Sequence, residues 1–218
     1  MNEEIEQLKK ELCEMKKSIS GLQQKDQSYN STIIAILADS YEHSAIGTMT
    51  IQLPNSKKGI DATHSLTISN PEDLYLIIER VIKSLLNSLH TALTTLDTIQ
   101  PEGADIQIFI PEPTLIRTIS GEKGLLLLEI NTDELELLDA TNEISTYIKE
   151  LHIRLLQLQN KERKTIYIRD LFNDNDLIAK KYRRQLQSQI KTTIQSIKSM
   201  NKKIEETEEA NTNAVSNG

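Results

Sequence analysis

The sequence contains few of the residues that form flexible loops and aromatic cores. Its 218 residues include no tryptophan, two phenylalanines, one cysteine, seven glycines and five prolines. So few glycines argue against a glycine-rich phosphate loop and favour long regular elements. We therefore expect a core of leucine and isoleucine, in one domain with extensions or in two small domains.

The single cysteine, Cys13, excludes a disulfide within one chain and favours a reducing compartment. The acidic start, Met-Asn-Glu-Glu, differs from the basic start of a secretory signal peptide. No apolar run approaches the roughly 20 residues that span a bilayer. We expect an intracellular protein of the cytoplasm or nucleus, with a virion component as a further option, and no membrane partner.

A heptad pattern lies near the N-terminus, within a predicted coiled-coil helix over residues 1–42. Apolar residues recur there at alternating intervals of three and four, which is the pattern of helices wound around each other. Glu4 and Glu11 fall at g positions and Lys9 and Lys16 at e positions, which favours a parallel dimer or trimer. A helix docked on its own domain is the alternative. The predicted interface residues are Ile5, Leu8, Leu12, Met15, Ile19 and Leu22.

A second heptad pattern predicts a C-terminal coiled-coil helix over residues 173–208, capped by Asn173 or Asp174, with a disordered tail over 209–218. The two helical arms can pair within one chain as an antiparallel stalk, or each can self-associate between chains. The interface residues predicted in this arm are Leu186, Ile190, Ile197 and Ile204.

The segment 44–172 is predicted to be an α+β core domain, in which a small mixed or antiparallel sheet packs on two long helices. Alternating apolar residues predict a hairpin over 48–53 and 64–69, and further strands over 105–110, 115–119, 125–130 and 165–169. Pro111 and Pro113 suggest that the strand over 105–110 is an edge strand or contains a bulge. The continuous apolar run 125–128 suggests a central strand. Helices are expected over about 71–96 and from Asp133, after a Thr132 cap, to the charged segment 161–164.

Charged residues are distributed unevenly along the chain. The net charge is −7, yet residues 161–203 carry twelve Lys and Arg against four Asp and Glu. An outer stripe on the C-terminal helix could contact nucleic-acid phosphates or an acidic partner, although a solvated face accounts for it equally well. The stripe comprises Lys181, Arg184, Lys191, Lys198 and Lys202.

No pattern of catalytic, cofactor-binding or metal-binding residues emerges. The four histidines are scattered, and the segment 170–176 lacks the glycine and the final carboxylate of a calcium loop. The sequence therefore predicts no catalytic residue, cofactor or metal, and a chain that is not an enzyme. We expect a non-enzymatic structural or assembly protein that oligomerises through coiled coils or joins a larger complex. The alternative is a nucleic-acid-binding or packaging accessory protein that uses the basic stripe.

Overall fold

A computed structural model describes residues 31–99, 105–111, 116–120, 126–130, 141–160 and 164–216. The six predicted interface residues of the N-terminal arm lie outside these ranges. The described chain contains seven strands and three helices. In chain order they are β1 (Ser31–Tyr41), β2 (Ser44–Gln52), β3 (Ile60–Thr67), α1 (Leu74–Ile99), β4 (Asp105–Ile110), β5 (Ile116–Ser120), β6 (Leu126–Ile130), α2 (Thr141–Asn160), β7 (Thr165–Asp170) and α3 (Leu177–Ser216).

Five strands form a mixed sheet in the order β3-β2-β1-β4-β7. Strand β2 is antiparallel to both β1 and β3, whereas β1 is parallel to β4 and β4 is parallel to β7. Helices α1 and α2 cover one face, and α3 covers the other. The prediction of an α+β fold with a mixed sheet is confirmed; the predicted coiled-coil flanks are not.

Residues 31–41 form a strand, although the sequence pattern predicted a helix as far as residue 42. Ile34 and Ile36 pack under α1 and α2, and Ile33 and Leu37 pack under α3. A strand buried on both faces is continuously apolar, so its residues also satisfy a three-and-four spacing by chance. Four of the first six residues of β1 are β-branched, and such residues favour the extended conformation.

The hairpin of β2 and β3 confirms the predicted strand pair. Gly47 lies inside β2 opposite His64 of β3. A Cβ atom at Gly47 would lie 2.6 Å from both the Ser84 carbonyl oxygen and the His64 ring. Glycine is therefore required here by the close approach of α1 to the sheet.

The larger core lies between the sheet and the helices α1 and α2. Asp73 caps α1, since its Oδ1 accepts the backbone N–H groups of Tyr75 and Leu76 at 3.0 and 3.2 Å. Both helices direct apolar side chains toward the sheet. The buried members are Ile82, Leu85, Leu86, Leu89, Leu93 and Leu96 of α1, and Ile144, Ile148, Leu151, Leu155 and Leu158 of α2.

The smaller core lies under α3. Phe109 of β4 is fully buried there, and its ring centroid lies 6.3 Å from that of Tyr182. Leu186 and Ile190 continue the same helix face over β1 and β2 and are also buried. The apolar spacing predicted as a coiled-coil seam thus packs on the sheet of the same chain, because a helix that lies on a sheet shows the same period.

Three further predictions are corrected. Strand β4 is an interior strand and not an edge, because Pro111 follows its last residue instead of interrupting it. The hairpin of β5 and β6 is a separate two-stranded sheet, so the strand over 125–130 is not central to the main sheet. Helix α3 continues to Ser216, through most of the stretch predicted to be a disordered tail. The extra strand predicted over 165–169 is confirmed as β7.

Candidate functional site

The strand order reverses between β1 and β4. From β1 the chain adds β2 and β3 on one side, and then β4 and β7 on the other. In open sheets with parallel strands, ligands bind in the crevice at the carboxyl ends of the strands where the order reverses. The carboxyl end of β1, beside the end of β4, is therefore the place where this fold favours a ligand.

Strand β1 extends well past β4 at this point. Its last pair with β4 joins Ala35 to Phe109, and β1 continues for six more residues to Tyr41. At about 3.3 Å per residue the overhang is about 20 Å long. No described strand pairs with β1 along the β4 side of this overhang, which creates a step in the sheet. We call it the β1 step and define it as residues 36–41.

The side chains of the β1 step change from apolar to polar toward its end. Leu37 is buried under α3, whereas Asp39, on the same face, is exposed. The Asp39 Oδ1 atom accepts the backbone N–H of Ser40 at 2.8 Å. Lys198 of α3 lies with its Nζ atom 5.1 Å from the ring centroid of Tyr41. The end of the step thus offers one carboxylate and one ammonium group to solvent.

The loop that joins β7 to α3 lies on the other side of β4. It is tied to β4 by the Leu171 N–H, which donates to the Ile110 carbonyl oxygen at 2.7 Å. Asp176, and neither Asn173 nor Asp174, caps α3. Its Oδ1 accepts the backbone N–H groups of Ile178 and Ala179 at 2.8 and 3.1 Å.

Two arginines hold this loop. Arg183 donates from Nη2 to Asp174 Oδ1 at 2.7 Å and from Nη1 to the Phe172 carbonyl oxygen at 3.3 Å. This contact keeps the pKa of Asp174 below its usual value. Arg169, at the end of β7, has its Nη1 atom 3.7 Å from Asp176 Oδ2. The Nε atom of Arg169 is buried and has no hydrogen-bond partner among the described residues.

The predicted basic stripe is exposed along α3. Lys181 lies over the Tyr182 ring at 4.7 Å, and Lys202 is 3.7 Å from Glu206 in the next turn. As a contact surface for nucleic acid or for an acidic partner, the stripe stays a prediction. The predicted stripe includes Arg184 but not Arg169, which is a lone arginine in a short strand with no pattern around it.

The predicted oligomer interface of the C-terminal helix divides into two parts. Leu186 and Ile190 are buried within their own chain, and Ile197 is partly buried beside them. Ile204 is 55% exposed. Only the last part of this helix therefore presents an apolar residue of the predicted interface to solvent.

A polar network fixes α3 on the outer strands of the sheet. The Thr48 hydroxyl donates to Gln189 Oε1, and the Gln185 amide donates to Asp61 Oδ1 at 3.1 Å. The Thr50 hydroxyl donates to the same oxygen of Asp61 at 2.7 Å. These bonds position α3 but place no reactive group in a crevice.

His64 lies in the contact between β3, β2 and α1. Burial lowers its pKa, and the nearby Ser84 carbonyl only partly offsets this effect. The folded protein therefore favours the neutral ring, while the unfolded chain binds the proton more readily. We expect stability to fall as pH decreases below the unfolded value of about 6.5.

Urea unfolding at a series of pH values between 7 and 5 tests this prediction. The expected result is that His64→Gln shows a smaller loss of unfolding free energy over this range than the wild-type chain. His90→Gln, which changes a histidine on the exposed side of α1, should keep the wild-type slope. The prediction would be contradicted if the unfolding free energy of the wild-type chain and of both variants changed equally with pH.

Within the described ranges, no three His, Cys, Asp or Glu side chains come together in a way that could hold a metal ion. A search of the same residues finds no helix that could cross a membrane.

Comparisons with known proteins give only distant similarity. No family model and no curated protein sequence matches this chain. Among solved structures, it is similar to an RNase H1 from the halophilic archaeon Halobacterium salinarum, with a TM-score of 0.31 and 11% identity over 64% of this chain and 84% of that one. It is also similar to an Aquifex aeolicus member of the Ppx/GppA protein family, with a TM-score of 0.21 and 8% identity over 64% of this chain and 35% of that one. The chain thus spans about a third of the second structure.

These findings correct the predicted function. The expectation of a non-enzymatic structural or assembly protein, with nucleic-acid packaging as its alternative, is wrong. The solved structures similar to this chain include an RNase H1, which by its name is an enzyme. The expectation was motivated by the apolar residues of the C-terminal helix, and most of these residues pack in the core of their own chain.

Proposed function

We propose that this protein is a ligand-binding domain that takes a nucleotide or another phosphate ester between the β1 step and the β7–α3 loop. The position follows from the sheet, since the order of strands reverses beside β1. The chemistry follows from the cations on the β7 side of that position.

Arg169 is the residue that carries the proposal. Its guanidinium has five N–H donors, yet its contact with a described acid is a single one, at 3.7 Å from Asp176. The Nε atom is enclosed by protein, whereas 31% of the Arg169 side chain is exposed, so a phosphate oxygen would meet the guanidinium from its exposed side. A guanidinium also matches the geometry of phosphate oxygens in paired hydrogen bonds.

The location of Arg169 suits this role. It pairs with Phe109 of β4, and Phe109 pairs with Ala35 of β1. Two strand spacings, about 10 Å, therefore separate Arg169 from the base of the β1 step. Asp176 holds the guanidinium from the helix side, so Arg169 is oriented before any ligand arrives.

The surrounding charge favours an anion. Lys180, Lys181 and Arg184 follow in the first two turns of α3, near the positive end of the helix dipole. Of the acids around the loop, Asp170 accepts the Phe172 N–H, Asp174 is paired with Arg183 and Asp176 caps α3. From Arg169 to Arg184 the chain thus carries five Lys and Arg against three Asp.

Calorimetric titration with ATP, GTP and inorganic pyrophosphate tests the proposal. We expect Arg169→Gln to weaken binding by about tenfold or more, since a charge-assisted bond to phosphate is lost. The matched control is Lys57→Gln with Lys58→Gln, which removes two positive charges from the β2–β3 turn at the opposite edge of the sheet. This control should bind as the wild-type chain does.

Two results would overturn the proposal. One is that none of the three ligands binds. The other is that the Lys57 and Lys58 control loses as much affinity as Arg169→Gln, which would show attraction by net charge alone. Phosphate release in the same samples measures turnover, and it tests the sequence-based prediction that the chain is not an enzyme.

A further inference from the structure

Phe172 presents an aromatic ring at the surface of the β7–α3 loop. The side chain is 37% exposed, and neither of the two cores includes it. Its backbone is held on both sides. The Phe172 N–H donates to Asp170 Oδ1 at 2.7 Å, and the Phe172 carbonyl oxygen accepts from Arg183 Nη1 at 3.3 Å. The loop therefore fixes the place from which the ring projects.

One face of the Phe172 ring is covered by a guanidinium. The Cζ atom of Arg183 lies 5.3 Å from the ring centroid. Arg183 is itself held, since its Nη2 atom donates to Asp174 Oδ1 at 2.7 Å. With one face covered in this way, the exposed area of the ring lies on its other face and along its edge. A flat aromatic group can stack on such a ring.

The ring lies close to Arg169, which carries the proposed phosphate contact. Phe172 follows Arg169 by three residues, so an extended chain would separate their Cα atoms by about 11 Å at most. A turn shortens this distance, because the Asn173 N–H donates to the Asp170 carbonyl oxygen at 3.4 Å. A nucleoside 5′-phosphate carries its phosphate and its base on opposite sides of one ribose. A single ligand of this kind can therefore reach both groups.

We propose that the ligand of this site is a nucleoside 5′-phosphate, whose base stacks on Phe172 while its phosphate binds Arg169. This inference rests on the proposed function and narrows its ligand from phosphate esters in general to those that carry an aromatic base. A sugar phosphate has no flat group to place on the ring. Every nucleic-acid base has one, so stacking on Phe172 selects nucleotides as a class and not one particular base.

Calorimetric titration of the full chain with AMP and with ribose 5-phosphate tests this inference. The two ligands share the sugar and the phosphate and differ in the base alone. The wild-type chain should bind AMP at least about fivefold more tightly than ribose 5-phosphate, as expected for one stacked base. Phe172→Ala should bind both ligands with the affinity that the wild-type chain has for ribose 5-phosphate.

Three further variants separate stacking from a general effect of the substitution. Phe172→Tyr keeps an aromatic ring and should keep the preference for AMP, whereas Phe172→Leu keeps an apolar side chain without a ring and should lose most of it. Tyr75→Ala is the matched control. It removes a 54% exposed aromatic side chain from the start of α1, which covers the opposite face of the sheet from α3, and it should keep the preference.

The inference is overturned if the wild-type chain binds the two ligands alike, if Phe172→Ala and Phe172→Leu keep the preference for AMP, or if Tyr75→Ala loses it. In these cases, binding of ribose 5-phosphate that Arg169→Gln weakens would leave the proposed function standing. If neither ligand binds the wild-type chain, the inference and the proposed function both fail.

Discussion

Phe109→Ala is expected to lower the free energy of unfolding by about 3–5 kcal/mol, the largest effect of any single change considered. The ring is fully buried between β4 and α3 and packs against Tyr182, so its removal leaves a cavity under the helix. Tyr182 itself is buried, which raises the pKa of its hydroxyl to about 12. Urea unfolding followed by circular dichroism measures the loss.

Phe172 provides the matched control, since it is the only other phenylalanine in the chain. Its side chain lies in the β7–α3 loop and is 37% exposed, in contact with Arg183. Phe172→Ala should cost no more than about 1 kcal/mol, because the ring is partly exposed and its removal leaves no closed cavity. Similar losses for the two variants would contradict the position of Phe109 in the core under α3.

Gly47→Ala is expected to cost about 3 kcal/mol, at the upper end for an overpacked site. The added methyl group would lie 2.6 Å from the Ser84 carbonyl oxygen, which is backbone and cannot turn aside. Helix α1 would have to move away from β2. Adding His64→Ala should recover only part of the loss, since it removes the ring contact but not the carbonyl.

Gly59→Ala is the control for this change. A Cβ atom there would lie 3.1 Å from the Thr50 methyl group and 3.4 Å from the Ile51 carbonyl oxygen. A side-chain methyl can shift slightly, so the expected change in unfolding free energy is about 0.5 kcal/mol or less. If Gly47→Ala lowers the free energy of unfolding as little as Gly59→Ala does, then α1 does not pack closely on β2.

The parts of the fold that the sequence predicted are those with one dominant pattern. Helix α1 has a wide apolar face and a proline near its start, and the β2–β3 hairpin has alternating residues around a polar turn. Strand β7 has β-branched residues between a charged segment and a helix cap. In each case local preference and tertiary packing favour the same structure.

The errors arise where two structures share one pattern. Ile33 and Ile36 fit a helical spacing, but they belong to a strand buried on both faces. The period of Leu186 and Ile190 is the same in a coiled coil and in a helix on a sheet. The periodicity of a sequence indicates that one face of a helix is buried, but it does not indicate whether that face packs on a sheet or on another helix.

The candidate site was less predictable than the fold. Arg169 acquires its role from its register with Phe109 and from Asp176, which is seven residues away and on another element. The β1 step exists because β4 ends where β1 continues, and this depends on which strands are neighbours. Neither relation is encoded in a local motif.

The central claim is that the first half of α3 belongs to the core of its own chain and that the part of the helix beyond Asn201 does not. Urea unfolding of Leu186→Ala and Ile204→Ala, each at a low and a high protein concentration, tests it most directly. We expect Leu186→Ala to lose about 3 kcal/mol at both concentrations, since Leu186 is fully buried within one chain. Ile204→Ala should match the wild-type chain at the low concentration. If the loss in Leu186→Ala depends on protein concentration, or if the two variants lose equal stability at the low concentration, α3 is an intermolecular coiled coil and the claim is wrong.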